Sequence, residues 1–176
     1  MTKYLAAVLV LAGVAVAPLS ADVVDAQPNG FALKYVHDIS RSPDAVFRAI
    51  IDVARWWDRS HSFSGQAANL SLDPRAGGCF CERLTGGSVQ HMVVLHLDAP
   101  RTLLLQGGPG PLASLGVAGA MEWSLAARQG GTHLEVTYNA GGYMPGGLAQ
   151  LAPVVDGVFA LQVKRLKTYA ETGRPE

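Results

Sequence analysis

From Leu151 to Thr172 the hydrophobic positions recur with the period of a helix. At about 100° per residue, Leu151, Val154, Val155, Val158, Phe159, Leu161, Leu166 and Tyr169 gather on one broad side. Asp156, Ala160, Lys164, Lys167 and Glu171 form a narrow polar stripe opposite. Pro153 suits the first turn, where its missing N–H has no partner within the helix, and Lys164, Arg165 and Lys167 suit the negative end of the dipole. Gly173, with Pro175 beyond it, ends the run. At about 1.5 Å per residue the helix is roughly 30 Å long, so a wide surface must lie beneath it. Gln162 and Arg165 project on or beside the apolar side, which leaves two readings: polar heads held inside, or long side chains reaching water at the rim.

Upstream the period changes to two. Between Gly30 and Ile39, Phe31, Leu33, Tyr35, His37 and Ile39 alternate with Ala32, Lys34, Val36 and Asp38, the pattern of a half-buried strand. Ser42-Pro43-Asp44 then supplies an N-cap, a proline for the first helical position and an early acid. Val46, Phe47, Ile50, Ile51 and Val53 continue a short helical stretch that closes on Trp56-Trp57, and Asp58 to Asn69 is a polar connection carrying His61 and Phe63. Short strands follow at Leu70–Asp73, Cys79–Leu84, Val89–Asp98, Thr102–Gln106, Ala120–Ala127 and His133–Asn139, separated by Gly and Pro. Connections this short join antiparallel neighbours. Val93, Leu95 and Leu97, then Met121, Trp123 and Leu125, then Leu134, Val136 and Tyr138 are expected on one face, against the last helix. Gly107–Gly119 and Gly141–Gly147 read as Gly- and Pro-rich loops able to move, the first as a mouth loop.

A chain of 176 residues with 49% hydrophobic content supports one domain with a real core. Fourteen basic and fourteen acidic side chains cancel, so no electrostatic footprint for nucleic acid or an anionic membrane is visible. Lys3, the 14-residue apolar run Tyr4–Ala17, Pro18 and the small residues after it have the order of a secretory signal, with cleavage expected after Ala21 or Ala26. Residues 1–26 are therefore read as the signal and 27–176 as the domain, in the periplasm or secreted. The run is shorter than the ~20 residues a membrane span needs, and no span is expected once the signal is removed.

The element order, with Ser42-Pro43 and Val46-Phe47 opening the first helix, Trp56-Trp57, Gly77-Gly78 before Phe80, and Val155-Asp156 through Arg165-Leu166-Lys167 in the closing helix, resembles the START or Bet v 1-like superfamily, also called SRPBCC. It is most similar to the branch related to the activator of heat-shock-protein ATPase and to polyketide cyclases. The resemblance implies an α+β helix-grip fold, a curved antiparallel sheet wrapped around a long C-terminal helix. It also implies a cavity between sheet and helix that holds a hydrophobic small molecule, a lipid or a polyketide-like aromatic. Trp56, Trp57, Phe80, Glu82, Trp123, Tyr138, Tyr143, Phe159 and Gln162 are the candidate lining. Two other functions stay open: a cyclase or dehydratase, and a protein-interaction module of the co-chaperone type that uses an exposed sheet face.

Chemistry rests on few residues. Glu82 shares a strand face with Phe80 and Leu84; on a cavity face its carboxyl is partly desolvated and its pKa raised, fit for general acid or base work with His61, His91 or Tyr138. The competing reading is a rim ion pair with Arg83 or Arg165. Cys79 and Cys81 lie on one strand face with Cα atoms about 6.5 Å apart, the long edge of disulfide geometry. With His91 they are a weak soft-metal set, lacking a second clustered pair. They are expected to be buried and reduced. No phosphate-cradling loop, elbow serine or His-Glu-x-x-His occurs, and no cofactor is expected.

Overall fold

The computed structural model describes residues 23–176. The expected export signal lies mostly outside the described residues. Its residues 23–26 lie in strand β1 (Val23–Gln27), an element the periodicity did not announce, paired with β2 (Gly30–Ile39). An export signal ending at Ala21 would leave β1 whole, whereas one ending at Ala26 would remove all of it but Gln27.

Helix α1 (Pro43–Ile51) starts as its first residues dictate, with the Ser42 hydroxyl accepting from the Ala45 N–H at 3.4 Å and Pro43 in the first turn. A short helix α2 (Val53–Trp56) follows. Strands β3 (Leu70–Leu72), β4 (Cys79–Leu84), β5 (Gly87–Asp98), β6 (Thr102–Gly107), β7 (Val117–Arg128) and β8 (Gly131–Gly142) complete one eight-stranded antiparallel sheet, ordered β1-β2-β8-β7-β6-β5-β4-β3. Helix α3 (Ala152–Thr172) closes the chain and ends at Gly173, whose φ of +78° admits glycine readily and whose N–H returns to the Tyr169 carbonyl at 2.8 Å. This is the helix-grip architecture. Among the described residues, no helix is long and apolar enough to cross a membrane.

The strands of strict alternation bury the expected side chains: Met121, Trp123 and Leu125 of β7, and Leu134, Val136 and Tyr138 of β8. β5 departs from expectation. Phe80 pairs with Met92 but Cys81 with Gln90, leaving His91 as an extra residue; Val94 pairs with Leu105 but His96 with Leu104, leaving Leu95 as another. Each such bulge shifts the period by one. Met92 and Val94 therefore face the core, Val93 and Leu97 are half-buried, and Leu95 is exposed.

Helix α3 buries Ala152, Val155, Asp156, Phe159, Gln162, Val163 and Leu166. Asp156, placed by periodicity on the polar stripe, is buried, where the Tyr35 hydroxyl of β2 donates to its Oδ1 at 3.0 Å and so satisfies a polar group that burial would otherwise penalise. Val154 is exposed instead. Trp56, Trp57, Trp123 and Phe80 make an aromatic wall between α2 and the sheet, with ring centroids 5.5 to 6.4 Å apart in tilted or edge-on geometry.

Candidate functional site

The bulge at His91 is what builds the site. As the extra residue, His91 turns inward beside Met92 and is only 6% exposed, whereas strict alternation would turn one of the two outward. There its Nε2 lies 3.1 Å from Oε2 of Glu82 on the neighbouring strand. Its Nδ1 accepts from the Gly110 N–H at 3.3 Å. An Nδ1 that accepts carries no proton, so His91 is neutral with its hydrogen on Nε2, donated to Glu82. Phe63 stacks on the imidazole at 6.0 Å with the rings 9° from parallel, and Phe80 packs at 5.1 Å. Burial pushes the His91 pKa below the ordinary histidine value, and the adjacent Glu82 carboxylate offsets this only in part.

Glu82 is 0% exposed, yet fully engaged. Besides His91 it accepts from the Phe63 N–H at 3.1 Å and the Ser64 N–H at 2.5 Å, so one carboxylate pins the Asp58–Asn69 connection to the sheet. Burial raises its pKa, but the hydrogen bonds from Ser64, Phe63 and His91 outweigh that and hold it below the usual carboxylate range. The expected raised value is corrected for this reason. The rim ion pair is corrected too. Arg165 donates to the Trp56 carbonyl and pairs with Asp58 and Glu176, and Arg83 points away on the exposed face.

His61, the third acid–base candidate, is not part of this pair. It is exposed, and its Nδ1 accepts from Nε2 of Gln162 at 3.0 Å. Gln162 is 1% exposed, with Oε1 accepting from the Asp58 N–H at 2.8 Å; of its two sequence readings, the polar head held inside is the observed one. Cys79 and Cys81 are half-buried on the face of β4 opposite Phe80 and Glu82 and are joined as a disulfide, with Cα atoms 5.3 Å apart. The expectation of buried, reduced thiols is thereby corrected. The Cα separation is shorter than the extended-strand value and lies within disulfide range. With both sulfurs bonded and His91 on the other face, the soft-metal set is not assembled, and no cluster of three or more metal-binding groups occurs among the described residues.

Two spaces border these residues. The one between α3 and the sheet is a void of about 30 Å³, touched by Trp56, Trp57, Phe80, Trp123, Phe159 and Gln162. Six of the nine candidate lining residues thus converge, but on a space fit for about a water molecule. The cavity expected between sheet and helix is present here as this narrow void, most of the space being occupied by the aromatic wall. The roomy space lies at the amino-terminal end of α3, a cleft of about 370 Å³. Leu151, just before α3, and Val154, Val155, Val158 and Phe159 of α3 form one wall; Trp57, Ser60, His61, Ser62 and Phe63 form a second; Pro109, Gly110, Pro111, Leu112 and Leu115 form the third. The volume is within the range of small-molecule sites, about 300–1,000 Å³, and the lining is mostly apolar. Glu82 and His91 lie behind Phe63 and Gly110, off the cleft surface.

Tyr138 and Tyr143 border neither space. Tyr138 is buried with its hydroxyl donating to the Gly107 carbonyl at 3.1 Å, and burial pushes its pKa well up; Tyr143 is 81% exposed. The cleft residues on Leu112, Leu115, Val154 and Val158 were not singled out from sequence as ligand contacts. The signal for them was there: a mouth loop rich in Gly and Pro, and more apolar positions on the last helix than one sheet face can cover.

No protein-family profile matches this chain, and no curated protein matches it in sequence. Solved structures do match. A conserved protein of unknown function, EF2215 from Enterococcus faecalis, is 14% identical with a TM-score of 0.57, over 84% of this chain and 75% of that one. The Aha1 dimer of Colwellia psychrerythraea is 17% identical with a TM-score of 0.57, over 81% of this chain and 97% of that one. DynU16, from the dynemicin biosynthetic locus, is 21% identical with a TM-score of 0.55, over 82% of this chain and 48% of that one. The likeness is one of fold, and the fold is an α+β helix grip, an eight-stranded antiparallel sheet closed by a long C-terminal helix.

Proposed function

We propose that this protein binds a hydrophobic small molecule, a lipid or polyketide-like aromatic, without covalent chemistry, in the manner the Bet v 1-like resemblance implies. The observation that carries the reading is the 370 Å³ cleft, mostly apolar in its lining and rimmed by the exposed side chains of Phe63, Leu115 and Val154. A fold neighbour from a biosynthetic locus is in keeping with it. Residues 1–26 as an export signal put the meeting with ligand in the periplasm or outside the cell, and the Cys79–Cys81 disulfide is at home in such an oxidising compartment. Native mass spectrometry of the purified protein tests the binding. A carried-over or added apolar ligand should be retained by the wild type and lost from Val158→Trp, which fills the cleft. Failure of the wild type to hold any apolar compound would end this reading.

A second reading has its own observation. The Glu82–His91 pair, 3.1 Å apart with the carboxylate ionised and the imidazole neutral, has the parts of a general base of the cyclase or dehydratase type. It needs Gly110 to leave Nδ1. Turnover that disappears in Glu82→Gln while binding survives would favour it.

A further inference from the structure

We propose that the ligand taken by the cleft carries a neutral hydroxyl donor at one end of an apolar body, and that this O–H replaces the Gly110 N–H at Nδ1 of His91. The inference rests on the cleft being the binding site and names the chemistry of its occupant.

His91 is a buried acceptor with one lone pair to offer. Glu82 fixes the tautomer by holding the Nε2–H at 3.1 Å, and the nearby negative charge strengthens Nδ1 as an acceptor. That acceptor is met by one neutral donor, the Gly110 N–H at 3.3 Å. Gly110 has φ of +62°, a conformation that favours glycine, and the space where a Cβ would stand is open. It opens the turn Gly110–Leu115 that forms one wall of the cleft, so a ligand seated there is already against the segment that covers Nδ1. Once displaced, the Gly110 N–H faces the cleft mouth and water, so the exchange strands no donor.

The surroundings choose the donor. A ligand carboxylate or phosphate would face the ionised Glu82 across the ring, and a carbonyl would set acceptor against acceptor. An ammonium would lose its hydration in a cleft that has no carboxylate on its walls. A hydroxyl loses little and is matched by Nδ1. The aromatic faces of Trp57, Phe63 and Phe159 on the same cleft suit a phenol in particular. Glu82 acts here as a positioning residue, through His91.

The probes are 2-naphthol, 2-methoxynaphthalene and naphthalene, titrated into the full chain while the ring nitrogens of His91 and the amide of Gly110 are followed by ¹⁵N NMR. The expected result is about tenfold tighter binding of 2-naphthol than of the other two, the worth of one buried hydrogen bond. Nδ1 of His91 should shift with 2-naphthol alone, whereas the Gly110 amide, on the cleft wall, should move with any of the three that binds and furthest with 2-naphthol. In His91→Phe, which keeps a ring against Phe63 and Phe80, the advantage should vanish while naphthalene binding remains. Equal affinities, or 2-naphthol bound with Nδ1 unmoved, overturn the hydroxyl inference and leave the cleft intact. If none of the three binds, the cleft reading falls and the inference with it. Should His91→Phe fail to fold, the wild-type comparison decides alone.

Discussion

The two ends of helix α3 present the same kind of apolar surface to very different neighbours. Toward its carboxyl end, Val163 and Leu166 meet the sheet and the aromatic wall of Trp56, Trp57 and Trp123, which leave about 30 Å³. Toward its amino end, Val154 and Val158, with Leu151 just before the helix, face two loops that stand off by a cleft of about 370 Å³. Packing is tight where both partners are regular elements with matched periods, and open where the partner is a loop whose shape is set elsewhere. Here that elsewhere is Glu82, which holds the Phe63 and Ser64 amides of one loop directly and, through His91, the Gly110 amide of the other. One buried carboxylate thus spans the two movable walls. The interior is closed by packing and the mouth is left open, with Trp57 and Phe159 bordering both spaces and Glu82 tying the two loop walls to the sheet.

The sharpest way to break this contrast is to cut the interior. Trp56→Ala should lower the unfolding free energy by about 3–5 kcal/mol, because a buried ring and its N–H bond to the Ala49 carbonyl are both lost. Urea denaturation checks this, and a loss below about 1 kcal/mol would mean the aromatic wall is loosely packed. Next in size is Glu82→Leu. It strands the Phe63 and Ser64 N–H groups and should cost about 2–3 kcal/mol, with faster hydrogen exchange at both amides.

Acid should separate the two regions in kind. The folded-state pKa of His91 is lowered, so below the ordinary histidine value of about 6.5 the unfolded chain takes up a proton that the folded chain refuses, and stability falls there. Glu82 is also lowered; its contribution is present above the unfolded carboxylate pKa and is lost as pH falls from there through the folded value. His91→Phe should remove the first decline and leave the second, whereas Trp56→Ala should shift the whole acid-range curve down without changing its shape. The smallest effect belongs to Val154→Ser at the exposed rim. Its unfolding free energy should change by no more than about 0.5 kcal/mol, while apolar probes bind more weakly.

The contrast also marks where the sequence was legible. Helix α3, the capped start at Ser42, the alternation of β2, β7 and β8 and the pairing of Trp56 with Trp57 follow from local period and cap chemistry, which neighbouring residues settle among themselves. β5 does not, because one bulge puts His91 inside and a second puts Leu95 outside, and a bulge is chosen by the partner strand. The site suffered for it. Glu82 and His91 were identifiable as chemistry-bearing residues, but the two loop amides that depress the Glu82 pKa come from 18 and 19 residues upstream along the chain. Asp156 was misplaced for the same reason: its partner, Tyr35, is 121 residues distant.

The claim that recognition belongs to the loop-walled cleft and not to the space beneath the helix is tested most directly by methyl NMR. Naphthalene titrated into the protein with labelled Leu and Val methyls should shift Leu112, Leu115, Leu151, Val154 and Val158, and leave Leu105, Val136 and Val163 around the interior void in place. Shifts concentrated on Leu105, Val136 and Val163 would contradict the account, because they would mean that the aromatic wall opens and the ligand enters beneath the helix.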